Sequence, residues 1–423
     1  MRAAPLCEEK NLSPAELFEQ RRKRFNDAFR LDVPDRVPLE VAYQYFPAKY
    51  CNVPYDAAYY DYDAWLAACK KTVIDFGADI SSVQPFFPGS VLELADPHVL
   101  RWPGREGSRI RSHQMLDGEY MRETEYGHLI SNPCDFALTR YMPRVCGAME
   151  GFGAIGRLPF AQMGHHSVLG FAESLAAPGV MESLELLRRI GQECLEWRPK
   201  LIGFLQEIED LGFPPLYYQV VLAPYDVIAD NLRGMRGVMT DLYKHPDELQ
   251  EACEVVLGVT LDHLGPPIDA VHNTLLVPLH FGSAGFCSLK QFETFYWPTL
   301  RRLLEELVAR GFAPTVMTEG DYTARLEYLL ELPKGRVFIH LDSTDAFRAK
   351  DVLGGHLCIS GNVPTSLLAL GTPDEVKDCA KQLIDYCAGD GGFIMSTRTP
   401  VDDARPENLK ALIDFTIEYG VYA

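Results

Sequence analysis

Along the C-terminal third, short apolar runs alternate with amphipathic stretches, and each run stops at polar residues. The runs are LLVPLHF ending near His280, PTVMTEGD carrying Glu319, RVFIHLD carrying His340, and GFIMSTR ending at Ser396 and Arg398. Such runs, rich in β-branched residues, read as buried strands, and several are separated by stretches with helical period. The predicted order is strand 275–281, helix 289–310, strand 315–319, helix 322–332 and strand 337–341, then strand 357–360, helix 373–387, strand 392–396 and helix 407–419. Strands alternating with helices through short loops predict an α/β protein of the (βα)8 TIM barrel type. In that fold all strand C-termini open on one face, so residues distant in sequence converge there.

Upstream, residues 13–30 predict an amphipathic N-terminal helix opening on Ser-Pro, an extension to the barrel. Residues 34–43 and 79–83 read as strands, the second ending at Gln84, and 214–226 as a strand ending in Asp226. A helix is predicted over 179–212. Residues 88–159 differ: they are rich in Gly, Pro, Trp and charge and lack helical period. They predict an irregular or β-rich insertion over the barrel's open face, where such inserts shape pockets. No repeat or long linker appears, so 1–423 reads as a single domain.

The bulk numbers narrow the field. Hydrophobic residues make up 47% of the chain, ample for a large core, and the net charge is −19. That acidity argues against a nucleic-acid partner, which needs Lys/Arg density. No apolar stretch approaches the roughly 20 residues needed to span a bilayer, and the first residues are too polar for a signal-peptide core. The basic run RRKRF at 21–25 reads as the solvated face of the first helix. Eleven cysteines without paired spacing predict reduced thiols and a cytoplasmic location.

His280, Glu319 and His340, all at predicted strand C-termini, form a candidate zinc site, with Glu319 and His340 as the catalytic pair. Zinc takes imidazole and carboxylate ligands, commonly three from the protein with one position open. A histidine taken alone reads more readily as a hydrogen-bonded strand-end group. Gln84, Asp226, Asn362 and Arg398, also at strand ends, are candidate substrate contacts; Asp402 either joins them or caps a turn. His356 and Cys358 sit at the start of their run and read as packing at the barrel's other end. His165 and His166 are weak candidates for a substrate contact, with alternating directions if that segment is extended. No GxGxxG follows a predicted strand, and no Walker lysine or GxSxG elbow is present.

At NLRGMRGVMTDLYKHPDEL, FETFYWPTLRRLLEELVARG, EGDYTARLEYLLELPKG, GNVPTSLLALGT and GGFIMSTRTPVDDARPENLKALID, the chain resembles the uroporphyrinogen decarboxylase superfamily. Within it the chain is most similar to corrinoid-dependent methyltransferases. The arginine-rich signature of the porphyrin decarboxylases is replaced by RVPLEVAYQYFPAKY, and the thiolate zinc set of the thiol-methylating relatives by Met317, Glu319 and Ser396. What remains resembles the aromatic ether O-demethylase methyltransferases, whose zinc ligands run Glu, fourteen residues, Glu, twenty residues, His. Glu319 and His340 have that second spacing; the first position falls on Leu304, which leaves His280 as the substitute ligand.

The resemblance implies transfer of a methyl group from a methoxyarene, such as a guaiacol- or vanillate-like compound, to the Co(I) of a separate corrinoid protein, with Zn2+ activating the ether oxygen. No corrinoid-binding D-x-H-x-x-G loop is present, so the cobalamin is expected on a partner; a homodimer is left open. Two alternatives stand beside it: a metal-free decarboxylase of a smaller cyclic substrate using Asp226 or Asp79, and a non-catalytic tetrapyrrole carrier.

Overall fold

The computed structural model describes Glu9 and residues 12–108, 110–155, 164–215, 219–267 and 274–422. Five strands, β3 (Thr274–Leu279), β4 (Ala313–Thr318), β5 (Phe338–Leu341), β6 (Cys358–Val363) and β7 (Phe393–Thr397), form a parallel sheet in sequence order. Two more, β1 (Glu40–Tyr43) and β2 (Ile80–Val83), pair in parallel. Bridges Leu39–Met395 and Tyr43–Val401 join β1 to β7, and a Val220–Leu276 bridge adds a stave beside β3. Described pairings therefore run unbroken from β2 through β1 and β7 round to Val220. This arc of parallel staves is of the TIM type. Every residue of β4 to β7 is buried, as expected of parallel strands covered on both faces.

Helices of eight or more residues include α1 (Pro14–Phe29), α2 (Tyr62–Phe76), α3 (Pro178–Asp210), α4 (Gly234–Lys244), α5 (Pro246–His263), α6 (Trp297–Ala309), α7 (Ala346–Leu353), α8 (Pro373–Cys387) and α9 (Pro406–Tyr419). The N-terminal helix α1 starts at a capping box in which Ser13 and Glu16 satisfy each other's backbone N–H. It plugs the bottom of the barrel: Phe25, Ala28 and Phe29 pack on Ile80, Ala313, Phe338, Cys358 and Ile394, drawn from five strands or their starts. Cys358 thus belongs to bottom packing, and His356 hydrogen-bonds the Leu332 carbonyl at 2.9 Å.

The basic run at 21–25 is not a solvated face. Arg21 and Arg24 are buried, and Arg24 joins Arg36 around Asp79. The Asp79 carboxylate accepts from Arg24 at 2.5 Å, from Arg36 at 2.6 and 2.7 Å, and from the Leu39 N–H at 2.9 Å. Burial alone would raise its pKa, but the two guanidinium groups outweigh it and hold it far below the carboxylate range. Asp79 therefore locks the barrel's closed end and takes no part in a site.

Four further expectations are revised. Within 214–226, residues 216–218 lie outside the described set, and the described strand character is the Val220 bridge. Asp226 instead ends a short helix, Pro224–Asp226, because proline fixes φ for a first helical turn. The expected helix over 322–332 is a 3-10 stretch, Thr323–Glu331. Within 88–159 the described residues are mainly short helices, with one antiparallel ribbon pairing Leu100–Arg101 with Gln114–Met115; residues 109 and 156–159 lie outside the described set. His165 and His166 are exposed on the helix Gly164–Leu175, so they do not alternate as on an extended strand. The ten described cysteines are free thiols. Among the described residues no helix is long and apolar enough to cross a membrane.

Candidate functional site

The period of two along a strand carries His280, Glu319 and Asp342, each just past the end of β3, β4 or β5, to the open end of the staves. Two glycines shape the turns there. A Cβ on Gly282 would lie 2.6 Å from the Tyr296 ring, so only glycine lets the loop after β3 fold this closely. Gly320 sits at φ +88° directly after Glu319, and its N–H donates to Asp342 Oδ2 at 2.8 Å.

His280 stands between two acids and is held by one of them. Its Nδ1 lies 2.5 Å from Asp230 Oδ2, and its Nε2 lies 3.7 Å from Glu319 Oε1. Burial lowers the imidazole's pKa, but the Asp230 hydrogen bond and charge, with help from Glu319, outweigh it and raise the pKa to about 9. At neutral pH His280 is therefore an imidazolium. Glu319 is also raised, first by burial and then by Asp342 and Asp230, with His280 opposing. Both side chains remain open to solvent, 31% for His280 and 47% for Glu319. Asp230 projects from a wide π turn, Val227–Arg233, a rare backbone form found disproportionately at functional sites.

The other expected residues do different work. Asp226 is fully buried and accepts from the Tyr296 hydroxyl at 2.5 Å and from the His280 and Phe281 N–H groups at 3.0 Å each. Burial lifts its pKa to about 6 against these donors. It staples the end of β3 and is not free for substrate. Asn362 likewise spends its amide N–H2 on the Asp342 and Thr344 carbonyls, both at 2.8 Å, so it is a clamp between strand ends. Asp402 accepts the Tyr45 N–H at 3.1 Å. Arg398 donates through Nε to the Asn362 carbonyl at 3.2 Å, while its terminal nitrogens have no hydrogen-bond partner among the described residues. Gln84 is exposed at the end of β2.

His340 does not join Glu319. It is buried one layer down, with Nε2 3.3 Å from the Arg398 carbonyl and Nδ1 3.5 Å from Glu40 Oε2. Burial opposes its protonation, but Glu40 and the carbonyl contacts raise its pKa. Among the described residues no group of three His, Cys, Asp or Glu side chains is placed to hold a metal ion. His280 and Glu319 suit two zinc positions, and Asp230 on Nδ1 is the outer partner that zinc-bound histidines commonly have. The third ligand is missing, because the His340 imidazole is committed to the barrel interior. The expected His280–Glu319–His340 set does not fit a three-ligand centre.

Sequence reading missed Asp230, which lies four residues past the strand expected over 214–226. Glu40 carried a signal that went unused, an acid inside the apolar run PLEVAY. The inserted segment meets the open end through His113, whose N–H donates to the Tyr45 hydroxyl at 3.2 Å. That hydroxyl also bonds Tyr59 at 2.7 Å, and the Tyr45 ring stacks on Phe86 at 4.7 Å.

Residues 219–419 match the family described as Uroporphyrinogen decarboxylase (URO-D). The chain is 28% identical over 239 residues to a uroporphyrinogen decarboxylase of Syntrophotalea carbinolica, covering 56% of this chain and 64% of that relative's length. Among solved structures, a methyltransferase from Methanosarcina mazei superposes with a TM-score of 0.57 at 14% identity, covering 94% of this chain and 98% of the other. These matches bear out the resemblance to the superfamily, and the last shows a shared fold.

Proposed function

We propose that this protein moves the methyl group of a methoxylated arene to a corrinoid carried by a partner protein, with His280 as the acid that releases the phenol. The observation that carries the reading is the His280 imidazolium, held by Asp230 with its Nε2 side open at the mouth. An aryl ether resists cleavage because phenolate leaves poorly; the phenol's pKa is about 10. An acid of pKa about 9 is protonated at neutral pH and can still give its proton to that oxygen as the bond breaks. The methyl–oxygen bond breaks with its electron pair going to oxygen, and the His280 Nε2 proton follows it. The neutral imidazole then regains a proton from water, with Asp230 keeping Nδ1–H in place. The corrinoid, when docked, supplies the nucleophile that accepts the methyl group. Zinc is implied by the resemblance, but the residues present do not complete its ligand set.

The test is to supply methoxyarenes with a reduced corrinoid and to follow free phenol and methylated corrinoid together. Stoichiometric appearance of both supports the reading; phenol formation that survives His280→Gln unchanged contradicts it.

The match to a uroporphyrinogen decarboxylase favours one second reading. In it the same imidazolium would protonate a carbanion left by loss of CO2. Release of CO2 from a cyclic carboxylic acid without any methyl acceptor identifies that case.

A further inference from the structure

The outward face of α3 repeats every seven residues. Val180, Ser183, Trp197, Phe204 and Ile208 turn to the body, whereas Met181, Leu195 and Ile202 stand 52%, 68% and 58% exposed. Met181, Arg188, Leu195 and Ile202 are seven apart, and Leu184, Gly191, Arg198 and Leu205 each follow three residues later. Those are the a and d positions of a helix that packs along another helix. From 181 to 205 the seam is about 36 Å long. Gly191 supplies an observation of its own. Glycine inside a helix is destabilising, and nothing in the same chain demands it here. Among the described residues, a Cβ at 191 would meet no atom within 4 Å. On an exposed seam a glycine lets a second backbone approach closely.

Charge says what the second helix is. The chain carries −19, yet residues 181–202 hold four acids and four bases and are neutral. Two copies of an acidic protein repel least where such a stretch meets itself. The order of signs is also self-complementary. Laid antiparallel about a two-fold axis near residue 193, Leu195 falls on Gly191 of the second copy, and Ile202 falls on its Leu184. The same register sets Arg188 and Arg189 beside Glu196 of the second copy, and symmetry repeats the contact. Arg189 and Glu196 have no ion pair of their own among the described residues. Arg188, which also nears Arg198 of the second copy, is balanced by Glu185 at 2.7 Å in its own chain.

We infer that α3 is a dimer seam, along which two copies of this chain pack antiparallel. The apolar spacing, the open glycine and the reciprocal charges are answered together by one occupant, the same helix turned end for end. The inference does not depend on which reaction the mouth performs.

The experiment is sedimentation velocity on the full chain at micromolar concentration, where a species of twice the chain mass is expected. Leu195→Lys/Ile202→Lys should weaken dimerisation by roughly a hundredfold or more, since four apolar side chains leave the seam. Arg189→Glu and Glu196→Arg should each weaken it roughly tenfold, and the double swap Arg189→Glu/Glu196→Arg should restore it. Within one chain these two residues lie two helical turns apart, about 10 Å, so restoration reports contact between copies. The control Leu370→Lys alters an equally exposed leucine off the seam and should leave the dimer intact. Circular dichroism checks that each variant is folded. The inference is overturned by a chain that stays monomeric, by a dimer that survives Leu195→Lys/Ile202→Lys, by equal loss in the control, or by a double swap no tighter than either single variant.

Discussion

Asp79 and Glu319 are both carboxylates at the ends of barrel strands facing cations, yet they sit in opposite situations. At the closed end, Asp79 accepts four hydrogen bonds, three from guanidinium groups, and none of its side chain is exposed. At the open end, Glu319 shares one imidazolium at 3.7 Å and keeps 47% of its side chain in solvent. The first arrangement drives a carboxylate's pKa down and the second lets it rise. Charge pairing that is saturated builds stability, whereas pairing left incomplete keeps a proton available to something that enters. The same contrast separates Asp226, spent on stapling β3, from Asp230, which holds a histidine in place.

The sharpest way to break this comparison is to remove the cation at the mouth. His280→Ala should cut turnover by roughly 10²–10⁴-fold, the usual worth of a general acid, while lowering the melting temperature less than Asp79→Ala does. Asp79→Ala should do the reverse. Removing the carboxylate that Arg24 and Arg36 share, with only Asp35 and Glu9 left to pair with them, should cost up to about 3–5 kcal/mol in a denaturant titration, with activity per folded molecule retained.

A smaller effect follows from Asp230→Asn. Losing that charge should drop the His280 pKa from about 9 toward its ordinary value of about 6.5, as seen by NMR of the ring. The sign for stability is set by the raised pKa. The contribution of the charged His280 is fully present below pH ~6.5 and disappears as pH rises through about 9. A melting temperature that falls over this window in the wild type and not in Asp230→Asn confirms the pairing; identical curves break it. Smallest of all, Gln84→Ala should shift stability by no more than ~0.5 kcal/mol and leave turnover within a factor of two.

Much of the fold was legible because parallel strands bury both faces and so write themselves as unbroken apolar runs; β3 to β7 lie within a few residues of where those runs are. The convergence of His280 and Glu319 followed from the same pattern. His340 was misplaced for a geometric reason. Strand parity points it inward correctly, but it lies one pair of residues deeper than Asp342, which shares that parity and reaches the mouth. Asp230 was illegible because its placement depends on a π turn, a backbone form with no sequence period. The burial of Arg21 and Arg24 was hidden because local charge density reads as solvated unless the distant Asp79 is known to face it.

The pH dependence of phenol release from a methoxyarene, with saturating reduced corrinoid, tests the central claim most directly. The account predicts an alkaline limb near pH 9 that moves acidward by about two units in Asp230→Asn. A rate that stays flat through that range, or a limb that the substitution does not move, contradicts it.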